Sequence, residues 1–549
     1  MARAPELAGG DVGEETFGLA DVVRGHAVER ALAASSLRAA AKDPLLADLV
    51  RKGQDLKKQI SAEIGTLNNL LALPPDERDQ AALKSSQDLI TKLQASEAAA
   101  RKDVLRRFPD YANLIDPPPV TSSELRTALR DEEVLLSFYF GRQNGFVWAL
   151  RKSGPIRFAR LDMTARQLDT KISKLRDALE PQATTIADVP TFDIAAAHDL
   201  FKQLLEPVQD GWRDAKNLIV VTNGALGLLP LSLLPTAPAE VKRDDDPPFS
   251  SYRAVPWLAR THAVTMVPSA SALRTLRRSP PGKATREPLI AFGDPVFNRE
   301  QATETPSTAV DVAEATVVSR GVPLKRRSSP QLDDKTSASL AMLPRLPDTA
   351  EELKSISLAL EADPAKALFL GKDANERKVK STDLSKFKII AFATHGLVPG
   401  EIDGLTQPAL ALSAPDVAGV DGDGLLTMEE ILGLRLDADW VVLSACNTGT
   451  GAGAGAEAAS GLGRAFFYAG TRALLVTNWS VHSQSARELT SDLFRRQAAD
   501  PKLTRGEALR QAMMGLVDGP GYQDEQGRTL FTYAHPLFWA PYTIIGDGG

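Results

Sequence analysis

Two side chains stand out because each closes an apolar run. Lys388-Ile389-Ile390-Ala391-Phe392-Ala393-Thr394 ends in His395-Gly396, and Trp440-Val441-Val442-Leu443-Ser444-Ala445 ends in Cys446, the only cysteine. Such runs read as buried strands. In an open parallel sheet the ligand crevice lies beyond the carboxyl ends of the strands, so neighbouring strands would bring imidazole and thiol together there. The pair suits nucleophilic catalysis, with the imidazole taking the thiol proton and returning it to a leaving amine. Gly396 lets its backbone N–H approach a developing oxyanion, and the N–H of Cys446 is the second donor. A helix opening near Glu457 favours the thiolate if its N-terminus points into the crevice. Taken singly, a cysteine is most often a small buried hydrophobe. The conjunction of the two strand ends carries the expectation.

Other motifs are weaker. Gly449, Gly451, Gly453 and Gly455 follow the cysteine strand, and Gly451-x-Gly453-x-x-Ala456 fits a relaxed dinucleotide fingerprint. The next strand, Ala473 to Thr477, ends in Asn478-Trp479 instead of the acidic residue such a site needs. The glycines therefore read as a loop that admits substrate to Cys446. Neither GxxxxGK[ST] nor GxSxG occurs, which removes the common phosphate loop and the serine nucleophile elbow. Asn478, Trp479 and Ser480 are expected to wall a substrate pocket beside the cysteine strand, with His482 at its rim. Asp403, Asp416, Asp421 and Asp423 lie on a lid-like segment and read mainly as solvated. One cysteine permits no intramolecular disulfide, and the six histidines show no HExxH. No metal and no cofactor is expected.

The chain that must position these groups has 549 residues, 43% hydrophobic and 24% charged, with a net charge of −6. It is long enough for several domains, lacks a basic segment for nucleic acid, and has no apolar run of bilayer length. A lone thiol suits a reducing, cytoplasmic setting. Leu49, Leu56, Ile60, Ile64, Leu67 and Leu71 have helical spacing, Pro74-Pro75 breaks it, and Leu83, Ile90, Leu93, Ala100 and Val104 resume it. Residues 1–116 thus predict an N-terminal helical hairpin region, a docking arm for a regulatory protein. From 117 to 298 the pattern is α/β, with a hairpin signal at Asn144-Gly145. Residues 299–345, including Lys325-Arg326-Arg327, show no period and read as a mobile linker open to self-processing. Asp348-x-x-Glu351 looks like a capping box, and α/β alternation resumes over 346–549.

Ordered motifs now point to a family. Phe392-Ala393-Thr394-His395-Gly396, Gly424-Leu425-Leu426-Thr427, Leu443-Ser444-Ala445-Cys446-Asn447-Thr448-Gly449, Asn478-Trp479-Ser480-Val481 and His535-Pro536-Leu537-Phe538-Trp539-Ala540-Pro541 resemble those of CHAT domains. The resemblance is firm over 340–546 and looser over 120–295. It implies an α/β, caspase-like and mostly parallel sheet flanked by helices, and a cofactor-free cysteine endopeptidase acting on protein substrates through His395 and Cys446. By analogy with separase, 117–298 would be a silent half and 346–549 the active one. Two departures are visible: no repeat of about 34 residues precedes the hairpin, and His482-Ser483 stands where the family often has an acidic residue. An inactive scaffold for protein–protein interaction is the competing reading, and nucleotide binding a third.

Overall fold

The computed structural model describes residues 12–23, single positions between 56 and 70, then 79–107, 120–303, 321–327, 339–399, 401–402, 405, 407–444 and 454–549. The apolar runs become strands because β-branched and aromatic side chains suit a pleated surface covered on both faces. In chain order they are β1 (Glu133–Phe140), β2 (Gly145–Arg151), β3 (Arg157–Leu161), β4 (Asn217–Val221), β5 (Ala263–Met266), β6 (Glu287–Gly293), β7 (Leu368–Leu370) and β8 (Phe387–Ala393). There follow β9 (Gly396–Leu397), β10 (Ala409–Ala411), β11 (Leu425–Thr427), β12 (Trp440–Leu443), β13 (Ala473–Thr477), β14 (Tyr522–Gln523), β15 (Thr529–Phe531) and β16 (Tyr542–Gly546).

Eleven of these strands form one sheet in the order β3-β2-β1-β4-β5-β16-β13-β12-β8-β6-β7. The run from β13 to β7 is parallel throughout, as are β1, β4 and β5. β16 is antiparallel to β13 yet parallel to β5, and so joins the two parts of the sheet. This is the mostly parallel α/β architecture expected. The sequence reading groups 287–293 with the first half, whereas β6 lies between β7 and β8 in the second. Both faces of β6 need cover there, and its buried Leu289-Ile290-Ala291-Phe292 finds it.

The hairpin at residue 145 forms for another reason than expected. β1 and β2 are joined through 141–144, and Gly145 is already a strand residue opposite Phe140. A Cβ on Gly145 would meet the Phe140 ring at 2.7 Å, so ring packing demands the glycine.

Helices cover the sheet. The ones used below are α1 (Val12–Val23), α2 (Gln80–Arg107), α3 (Ala270–Arg278), α4 (Asp348–Ala359), α5 (Ala454–Ala469) and α6 (Ser483–Ala499). α4 begins where the capping-box pattern predicts a helix, but Pro347 is the cap and the Asp348 side chain is engaged elsewhere. The chain divides into two compact units, residues 30–118 and the remainder. In the first, the Ser86 hydroxyl of α2 donates to Glu63 Oε1 at 2.5 Å, and Leu83 and Ile90 are buried. α1, which the sequence reading groups with that region, belongs to the other unit: Phe17 is buried against Trp148, whose indole N–H donates to Thr16. Within 299–345, residues 299–303 are helical, and 321–327 and 339–345 are hydrogen-bonded into the body. Among the described residues no helix is long and apolar enough to cross a membrane.

Candidate active site

His395 leaves the end of β8 fully buried. Its Nε2 lies 2.8 Å from the Pro344 carbonyl oxygen, which can only accept, so Nε2 carries the proton. Nδ1 is then the basic nitrogen. It has no hydrogen-bond partner among the described residues. Burial depresses the imidazole pKa, against smaller raising effects of the Pro344 carbonyl and the Asp348 charge. Phe297 lies obliquely against the ring at 5.7 Å and itself packs in one apolar cluster with Leu343 and Leu397. The acceptor is itself clamped: Arg345 makes two hydrogen bonds to Asp294 at 2.9 and 2.8 Å, and Gln301 donates to the Leu343 carbonyl.

Gly396 pairs with Leu410 in the small antiparallel sheet β9-β10-β11. Since Ala411 N–H donates to the His395 carbonyl, Gly396 occupies a non-hydrogen-bonded position and its N–H is directed away from β10. It is a free-facing donor next to the histidine. β8 and β12 are adjacent and parallel, with Leu443 opposite Phe392, and Ser444 N–H donates to the Phe392 carbonyl. Cys446, Gly449, Gly451 and Gly453 lie outside the described residues, as does Asp403.

Below these strand ends is a buried acidic pocket. Arg327 enters it with its side chain 1% exposed, donating through Nε to Asp348 at 2.8 Å and through Nη1 to Glu352 at 2.5 Å and Ser444 Oγ at 2.9 Å. Ser444 and Thr490 also hydrogen-bond Glu352. Burial alone would depress the guanidinium pKa, but the Glu352 and Asp348 charges outweigh it and raise it. Burial likewise opposes ionisation of Asp348, yet Arg327 and the Ser483 hydroxyl hold its pKa below the ordinary value.

A profile of the CHAT domain matches residues 195–547. The chain belongs to the CHAT-domain family. No curated protein matches it. Among solved structures it is similar to separase of the Saccharomyces cerevisiae separase–securin complex, at 9% identity and a TM-score of 0.42, covering 89% of this chain and 37% of that one. It is also similar to the Arg-specific cysteine proteinase gingipain R, at 9% identity and a TM-score of 0.34, covering 76% of this chain and 78% of that one. The chain thus spans well under half of the separase chain.

In this CHAT domain the expected pocket wall takes another role. Asn478 spends its side-chain amide on the Pro541 carbonyl and Thr543, its main-chain carbonyl accepts from Arg176, and Trp479 is core, with its indole N–H on the Leu537 carbonyl. Ser480 is also buried. The backbone that faces an extended segment is one to three residues further on, at Val481 and Ser483. His482 is not a rim residue: it is buried among Phe531, Tyr533 and Phe538, accepts from Ser485 N–H, and burial drives its pKa down to about 3. Of the lid acids, Asp421 is fully exposed and pairs with Arg377. Sequence reasoning missed Pro344 and the Asp348–Glu352 pair. A carbonyl acceptor has no side-chain signature, but two acids four residues apart on one helix face, in α4, were a readable signal.

Proposed function

We propose that the protein is a cysteine endopeptidase acting on protein substrates, with Cys446 as nucleophile and His395 as its base and later its acid. The observation that carries this reading is the state of His395: buried, its tautomer set by Pro344, and its basic nitrogen without a partner among the described residues. An unsatisfied buried nitrogen costs roughly 1–3 kcal/mol, so a structural histidine would normally be paired. The parallel register at Leu443 and Phe392, counted three residues on, reaches Cys446 in one chain segment and His395 in the other. Cys446 is two residues past Ser444, so their Cα atoms are within about 7.6 Å.

In the proposed reaction His395 Nδ1 accepts the thiol proton and the sulfur attacks the peptide carbonyl. The N–H groups of Gly396 and Cys446 stabilise the oxyanion. His395 then protonates the departing amine, and water, deprotonated by the same nitrogen, hydrolyses the thioester. Residues 30–118, a compact unit of their own, are the proposed docking arm for a regulatory protein. The rival reading, an inactive scaffold, is disfavoured by an imidazole nitrogen with no partner among the described residues.

The test is cleavage of a peptide library by the wild type, Cys446→Ala and His395→Ala. Each substitution should cost about three orders of magnitude or more in turnover. Equal cleavage by the wild type and Cys446→Ala would remove the proposal.

A further inference from the structure

Residues 321–327 form an extended strap with a distinct pattern of bonds. At one end Leu324 N–H donates to the Thr184 carbonyl and Ile186 N–H to the Val322 carbonyl. At the other, Arg327 N–H donates to the Val481 carbonyl at 3.0 Å and Ser483 N–H to the Lys325 carbonyl at 3.1 Å, with Arg326 bridging His482 in antiparallel sense. The strap has therefore added itself as a strand to the segment that follows β13. Main-chain bonds to an added strand with alternate side chains in pockets are a general way of holding an extended peptide. The three side chains go to different places: Lys325 is exposed, Arg326 reaches sideways to the Pro181 carbonyl, and Arg327 is buried in the acidic pocket.

The pocket is tied to the reacting groups from two sides. Ser444, which accepts from Arg327, is two residues before Cys446, and the Asp348 charge acts on both Arg327 and His395. A clasp meant only to stabilise the fold gains little from a buried ion pair, because desolvation offsets most of the attraction.

We infer that residues 325–327 occupy the cleft as a substrate does, and that the enzyme cuts its own chain between Arg327 and Ser328. This rests on the peptidase reading above and adds to it an arginine preference before the cut. Cys446 Sγ bonds to the Arg327 carbonyl carbon as the bond to the Ser328 nitrogen breaks, and that amine leaves with the proton from His395. Water then releases the Arg327 carboxylate and regenerates the thiol. The chain on both sides is anchored, by the strap before the cut and by the Pro344–Arg345 segment after it. The products, 1–327 and 328–549, should therefore stay associated under native conditions.

The experiment is intact mass analysis of the full chain under denaturing conditions, with native size-exclusion chromatography and a fluorogenic peptide bearing arginine before the scissile bond. Expected are two fragments joining at 327/328 that co-elute natively, and an uncut Cys446→Ala chain. Arg327→Ala should remain uncut yet hydrolyse the peptide. Should that variant not fold, Arg327→Lys, which keeps the charge, should be cut at least about tenfold more slowly. A wild-type chain that hydrolyses the peptide but stays intact, or a cut that persists in Cys446→Ala, overturns the inference and leaves the peptidase reading separately judged. Failure to cut peptide and chain alike sinks both.

Discussion

At the scale of single residues, His395 and Pro344 define what the site can do. Burial lowers the imidazole pKa from the ordinary 6.5, so the neutral base persists to lower pH than a solvated histidine allows. Protonation is what would silence it. The acid limb of kcat/KM for peptide cleavage should therefore have its midpoint below pH 6.5, read from a pH–rate profile of the free enzyme. A midpoint above that value would mean another group controls the reaction. Sequence made His395 and Gly396 visible because they end an apolar run. It could not show Pro344, since any residue supplies a carbonyl and only the fold selects one. The pocket wall expected from Asn478 and Trp479 failed to show itself for a related reason: side chains just past a strand can turn to the core or to the cleft, and here Leu537, Pro541 and Thr543 draw them inward.

At the scale of elements, the geometry depends on how strands and helices end. α5 stops at Gly470, where φ is +117° and a Cβ would lie 2.4 Å from the Leu436 carbonyl oxygen. The turn lets the chain enter β13 beside β12. Gly470→Ala should combine a strained backbone with a backbone clash and cost about 1–3 kcal/mol. The shift of the denaturant midpoint, at unchanged slope, measures it. An unchanged midpoint would show that Leu436 moves aside freely. The glycine was readable as a helix stop, and so were β8, β12 and β13, because each is a local apolar run. The strap was not: 321–327 has no period, and what orders it is a backbone ladder and one buried arginine.

At the scale of the whole sheet, the two halves are held as one piece through β16 and its flanks. Arg277 of α3 donates to both Glu133 oxygens at 2.6 and 2.7 Å and to Asp547 at 3.2 Å, linking β1 to the end of the chain beyond β16. The Arg277 and Glu133 side chains are 9% and 4% exposed, and Arg277→Ala would leave this buried carboxylate with only Arg130, through its backbone N–H at 2.8 Å and its guanidinium at 3.4 Å. Loss of about 3 kcal/mol, the low end for a broken buried pair, is expected, measured as a fall in thermal midpoint by calorimetry. A change under roughly 1 kcal/mol would show that water reaches the site and that the tie contributes little.

By itself the sequence determined the apolar runs that become β8, β12 and β13, the placement of His395 and Cys446 just after two of them, and the CHAT family to which the chain belongs. Those are local facts, written in periodicity, glycine placement and short ordered motifs. The tertiary structure alone decided that β6 lies among the later strands, that Pro344 sets the histidine tautomer, and that Arg327 fills the acidic pocket. Each of these joins residues distant in the chain, through backbone acceptors or a buried ion pair, and neither leaves a periodic trace in composition.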